Sequence, residues 1–289
     1  MKICVIPSFT NMPQITHMFV NSLANHAVVD INSCSNDTDF IILFGREHLD
    51  HANEIVCRYP HVPLIVYNWD QYGWHQLQDC NWNLYNSLQE KSKEIWVPSK
   101  AVSLRIEEFL KLGNKCFIMK SWARIFDYPK ENIIDGRYVF QVVRNYHPDP
   151  FYNWAERACS DLNIPLFMNA YHKKSEEEFQ KFIAESTLLL CHYDEASTGG
   201  LTLIEGHRLG KPVLFCDSPY MGAKDYFGER AHTFRRNDYE DFVSKLRDLY
   251  HQPVAHDFDD CHKFTDQYKI ENYMIRVKER LMTLKNEIK

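Results

Sequence analysis

The chain has 289 residues, 45% of them apolar, and a formal net charge of −6. That length supports a large core and two domains of ordinary size, with no need for a disulfide or metal staple. The acidic balance argues against a surface that clings throughout to nucleic acid or anionic lipid, and no run of eighteen apolar residues exists to span a membrane. The nine cysteines include no CxxC pair, which argues against a zinc ribbon or a thioredoxin-like site. Cys4, Cys191 and Cys216 lie inside apolar runs and read as reduced core thiols. Residues 2–7 are an apolar run too short for a signal peptide, so the expected location is the cytoplasm.

Strand-like and helix-like segments alternate along nearly the whole chain. Strands are expected at residues 2–7, 27–31, 40–44, 63–67, 94–97 and 116–119, and helices at 13–24, 48–57 and 82–91. A further helix is capped by Ser99, presents Val102, Ile106, Phe109 and Leu110 on one face, and ends at Gly113. Between about 121 and 136 the pattern lapses into a linker. A second alternation follows: strand 138–143, helix 151–162, strand 165–168, a helix behind the capping box Ser175/Glu178, strand 187–192, strand 212–216, and a helix capped by Asp238. Residues 266–289 read as one amphipathic helix with Tyr268, Tyr273, Met274, Val277 and Leu281 available to pack. The expected fold is therefore α/β: two doubly wound, Rossmann-like domains, 1–132 and 133–265, facing a cleft. The C-terminal helix, 266–289, is expected to pack back toward the first domain.

The most informative stretch is 197–213, Ser-Thr-Gly-Gly-Leu-Thr-Leu-Ile-Glu-Gly-His-Arg-Leu-Gly-Lys-Pro-Val. Gly199 and Gly200 permit a close backbone approach and leave free N–H groups at a helix start, where an anion is favoured. Glu205 follows just beyond the first turn, and Gly210 ends the helix. Phosphates at the helix start and hydroxyls at the carboxylate suit such a site. This stretch resembles the donor-site signature of the retaining family-four glycosyltransferases of the GT-B fold. Gly200-Leu201, Glu205, Gly210, Pro212 and Val213 fall at the matching places. The family's first glutamate is replaced by Ser197, with Glu195 two residues upstream. Its arginine at the end of the second domain's first strand is matched by Arg144, whereas Asp149 occupies the place of the lysine that follows.

The resemblance implies a nucleotide-sugar donor as co-substrate, with no resident cofactor and no metal. It makes 1–132 the acceptor-side domain and 133–265 the nucleotide-sugar-binding domain. Glu205 would receive the donor's ribose hydroxyls, and Ser197, Thr198, Gly199, Gly200, Leu201 and Thr202 would line the donor site, with backbone N–H groups toward the diphosphate. Arg144 would neutralise the leaving phosphate, with Lys120, Arg124 or Lys211 standing in for the missing lysine. Glu195 or Ser197 would touch the transferred sugar.

In the first domain, Tyr67-Asn-Trp-Asp-Gln-Tyr-Gly-Trp-His75 follows a buried strand. Polar groups at a strand's carboxyl end face the ligand side of such sheets. Asn68, Trp69 and His75 are therefore acceptor-side candidates, and Asp70 or His75 would orient or deprotonate an acceptor hydroxyl. His48 and His51 lack a nearby third ligand. No G-x-S-x-G elbow and no G-x-G-x-x-G after the first strand is present, and no Asp-x-Asp closes a strand where a metal-dependent glycosyltransferase needs it. The expected activity is transfer of a hexose or pentose to a saccharide, a small molecule or a modified nucleobase in DNA. For DNA, the aromatic cluster and Lys115, Lys120, Arg124 and Lys130 offer only a local basic group. The alternatives are a catalytically degenerate nucleotide-sugar-binding protein and a nucleotide-sugar epimerase.

Overall fold

The computed structural model of the chain describes residues 1–7, 13–69, 80–123, 125, 128–133, 136, 138–141, 153–168, 175–191, 201–252 and 256–288. Contacts divide the chain into two units, Met1–Ser121 with Ile270–Lys289, and Trp122–Lys269.

Among the described residues, the first unit is built on six strands: β1 (Lys2–Ile6), β2 (Val28–Ile31), β3 (Phe40–Phe44), β4 (Leu64–Tyr67), β5 (Glu94–Val97) and β6 (Cys116–Ile118). They pair in the order β2-β1-β3-β4-β5-β6, every neighbour parallel. The central strands are continuous apolar runs, as a parallel sheet buried on both faces requires. Successive side chains point to opposite faces. Cys4, Ile6, Ile41, Leu43, Leu64 and Val66 pack with Ala52 and Ile55 of α2 (Leu49–Arg58) and with Tyr85 and Leu88 of α3 (Trp82–Lys91). In a separate aromatic group, Phe44 and Tyr67 meet Phe19 of α1 (Pro13–Ala24), and Phe19 and Tyr67 meet Tyr273. Helix α4 (Lys100–Leu110) starts at Ser99, whose hydroxyl accepts the Val102 N–H, and lays Val102 and Ile106 on Ile95 and Val97.

The C-terminal helix returns to this first unit. Labelled α11 (Ile270–Ile288), it buries Tyr273, Met274, Val277, Leu281 and Leu284. Its polar side is anchored as well. Arg276 donates to the Lys120 carbonyl at 3.1 Å, and the Arg280 guanidinium pairs with both oxygens of Glu94. Glu94 in turn accepts the Trp96 indole N–H at 2.7 Å. Lys285 reaches Asp39 at 2.6 Å. The helix starts at Ile270 rather than at 266, because Tyr268 is pinned in a turn. Its hydroxyl donates to the Tyr226 carbonyl at 3.0 Å, and its own carbonyl accepts the Ala123 N–H at 2.9 Å.

The second unit carries β7 (Val139–Gln141), β8 (Leu166–Met168), β9 (Leu188–Cys191), β10 (Val213–Asp217) and β11 (His232–Arg235), in the order β11-β10-β9-β7-β8, again all parallel. Among the described residues, six α-helices connect or flank them: α5 (Trp154–Asp161), α6 (Glu176–Ala184), α7 (Leu201–Arg208), α8 (Ala223–Phe227), α9 (Tyr239–His251) and α10 (Phe258–Asp266). The Ser175/Glu178 capping box forms in both directions, and Asp238 accepts the Asp241 N–H at 2.9 Å.

Candidate functional site

Strand order locates the site. From β7 the chain moves outward to β8, then crosses back to place β9 on the other side of β7. That reversal is a topological switch point, where doubly wound sheets leave a crevice outside the strands' carboxyl ends. Gln141, which ends β7, pairs with Leu190, one residue before β9 ends at Cys191. The carboxyl ends of β7 and β9 are therefore neighbours. Arg144, Glu195, Ser197, Thr198, Gly199 and Gly200 themselves lie outside the described residues, as do Asp70 and His75.

Helix α7 begins at Leu201. Leu201 and Thr202, in its first turn, are half-buried, and every later residue is buried. Glu205, the fifth residue, is 2% exposed. A carboxylate so placed is held in one position rather than sweeping through solvent. Two glycines set the helix. Gly206 faces β9 so closely that a Cβ there would stand 2.4 Å from both terminal methyls of Leu189. Gly210 has φ +75°, and its N–H and that of Lys211 close on the carbonyls of His207 and Gly206. That is the Schellman stop, which needs a left-handed residue and so favours glycine. Lys211, just beyond, is buried at 2% exposure.

In the first unit, Asn68 follows β4 and is fully buried. Its amide donates to Gln89 Oε1 at 2.7 Å, and its backbone N–H to the Trp96 carbonyl. Trp69 is 6% exposed and packs against Phe44 and Tyr67. Both side chains belong to the packed end of β4. His48 sits before α2 in a left-handed conformation, and His51 Nε2 lies 3.2 Å from the Asn32 carbonyl oxygen.

A second polar cluster escaped sequence reasoning. The ligand atoms of His207, at the end of α7, His256, and Cys261 of α10 lie within 4.8 Å of one another. His207 Nε2 stands 3.8 Å from Cys261 Sγ, and the two imidazole centroids are 5.0 Å apart. His207 and Cys261 are fully buried; His256 is half-buried. Burial first, then the neighbouring His256, pulls the His207 imidazole down to about 4, while burial pushes the Cys261 thiol up to about 11. Burial also holds His256 and His232 below their ordinary range. The only local signal in the sequence is the pair His256 and Cys261, too widely spaced for a familiar motif. His207 comes from a distant helix.

The two parallel sheets and their switch-point helix define a GT-B fold. Comparison with protein-family models and with curated proteins finds no match. Solved structures do match over the whole length. HepE from Anabaena, in complex with UDP and glucose, superposes with a TM-score of 0.72 at 10% identity, covering 98% of this chain and 100% of HepE. The apo form of WaaB, a lipopolysaccharide outer core galactosyltransferase, gives 0.68 at 12% identity, over 98% and 99%. WaaG, a glycosyltransferase involved in lipopolysaccharide biosynthesis, gives 0.63 at 12%, over 97% and 99%. At these identities the likeness speaks to the fold.

Proposed function

We propose that the chain is a retaining glycosyltransferase that moves a sugar from a nucleotide-sugar donor to an acceptor hydroxyl. The observation that carries this reading is Glu205, buried just inside α7, beside the switch point of a sheet in a GT-B fold. In this reading Glu205 receives the ribose hydroxyls, the N–H groups of Gly199, Gly200, Leu201 and Thr202 face the diphosphate, and Arg144 offsets the charge of the leaving phosphate. Glu195 or Ser197 contacts the transferred hexose or pentose. Asp70 or His75 orients the acceptor hydroxyl, which enters on the face the diphosphate leaves. Such a step rests on positioning and on stabilising the leaving group, and it uses no metal at the diphosphate. The enzyme works in the cytoplasm on a saccharide, a small molecule or a modified nucleobase in DNA. Because HepE has been solved with UDP-glucose, uridine nucleotides head the list of donors to try.

Calorimetry and donor-turnover assays with UDP-, GDP-, ADP- and CMP-sugars test this, without added divalent ion. One donor family should bind, and Glu205→Gln should weaken it by roughly 10- to 100-fold, the equivalent of losing charge-assisted hydrogen bonds to the ribose. An unchanged affinity in that variant, or no binding by any donor, overturns the reading. Binding without transfer to any acceptor makes the chain a nucleotide-sugar-binding protein, and release of an epimerised donor makes it an epimerase.

A further inference from the structure

We propose that His207, His256 and Cys261 bind one zinc ion, at a site separate from the donor pocket, which clamps the end of α7 to α10. Two imidazoles and one thiol are a borderline-soft set suited to zinc and ill-suited to magnesium or calcium. Their ligand atoms lie within 4.8 Å of one another, and His207 Nε2 and Cys261 Sγ, 3.8 Å apart, already stand near the separation of two ligands on one tetrahedral ion. Close packing accounts for part of this cluster: the His207 ring meets Phe227 and Phe264 edge-on. Packing does not account for His256 Nε2, which is buried and has no hydrogen-bonding partner among the described residues. A buried ring nitrogen left in that state is costly, and a metal bond satisfies it.

The surroundings allow a cation. The nearby Arg230 guanidinium is tied to Asp260 in a salt bridge, so its charge is offset one residue from Cys261. His256 is the half-buried member, and it gives the ion a route in from solvent. Binding forms a sulfur–zinc bond as the thiol S–H breaks, and the proton leaves to solvent. A fourth position remains for water. The clamp has a consequence for the proposed donor site, because Glu205 stands two residues before His207 on the same short helix.

The test uses the full-length chain, stripped with a chelator and titrated with Zn²⁺ and, separately, with Co²⁺. One zinc per chain should bind, with proton release and a raised melting temperature. Cobalt should give a thiolate-to-metal charge-transfer band, which a site made of histidines alone lacks. Cys261→Ser should abolish that band and weaken zinc by more than about tenfold, and His256→Asn should weaken zinc to a similar degree. The His256 change lies at the half-buried position, so it reports even if the Cys261 variant fails to fold. Absence of zinc binding at micromolar concentration, a wild-type cobalt complex without the thiolate band, or unchanged zinc affinity in His256→Asn overturns the proposal. None of these readouts depends on glycosyl transfer, so the site stands or falls apart from the proposed activity.

Discussion

Replacing Asn68 by alanine removes the 2.7 Å donor to Gln89 Oε1 in a place that water does not reach. A buried acceptor deprived of its donor costs about 1–3 kcal/mol, so the urea midpoint of Asn68→Ala should fall accordingly. If Asn68 acts through this contact, the acceptor KM of the variant should stay near the wild-type value; a raised KM with unchanged stability would assign it to the acceptor instead. Glu205 and Asn68 illustrate what single residues reveal. For Glu205, the helix that buries it and the glycine stop that ends that helix, Leu201 to Val213, are local in the chain and could be read from it. Asn68 was legible as a residue of the β4 end, but its direction was not, because Gln89 comes from the next helix. His207, His256 and Cys261 show the same limit: their proximity comes from the packing of α10 against α7.

Helix α7 owes its position to Gly206, which carries no Cβ where Leu189 of β9 comes closest. Leu189 is fully buried, so it has little room to turn aside. Gly206→Ala should therefore push the helix from the sheet, at an overpacking cost of roughly 1–3 kcal/mol even though alanine is the better helix former. The melting temperature should drop, and donor affinity should drop with it because Glu205 is the adjacent residue. A variant that melts like the wild type would show that α7 is not seated by this contact. At this scale the sequence pattern served well where an element is long, capped or continuously apolar. Helix α3, β5, the Ser99 cap and the Ser175/Glu178 box appear where the residues suggest. It failed where an element is short or largely solvent-facing. Strand β11, at the sheet edge, buries only Phe234 fully; α8 has five residues; and α10, Phe-Asp-Asp-Cys-His-Lys-Phe-Thr-Asp, buries only Cys261 and Thr265. Such elements are set by their neighbours rather than by their own periodicity.

The division of the molecule into two parallel sheets follows from two successive strand–helix alternations, and the repeated crossover pattern made it readable. The seam is less obvious, because the first unit is assembled from both ends of the chain, Met1–Ser121 and Ile270–Lys289. Five side chains of α11 are buried, so the N-terminal part cannot be completed until residues 270–288 join it. Asp39 marks where the ends come together. One of its oxygens accepts the Lys2 backbone N–H at 2.9 Å, and the other meets Lys285 at 2.6 Å. The start of the chain and the start of its last turn therefore share one carboxylate, and the order of the segments can be rotated without moving any of them. A permutant that begins at Ile270, runs through a short flexible linker into Met1 and ends at Lys269 would make each unit continuous. It should melt near the wild-type temperature, whereas a chain simply cut after Lys269 should be largely insoluble; a permutant as poor as the cut chain would deny that the two ends are interchangeable neighbours. During synthesis the natural order has a cost in time: residues 1–121 are made before residues 270–288, and the buried side chains of α11 reach the sheet only after the whole second unit has been made.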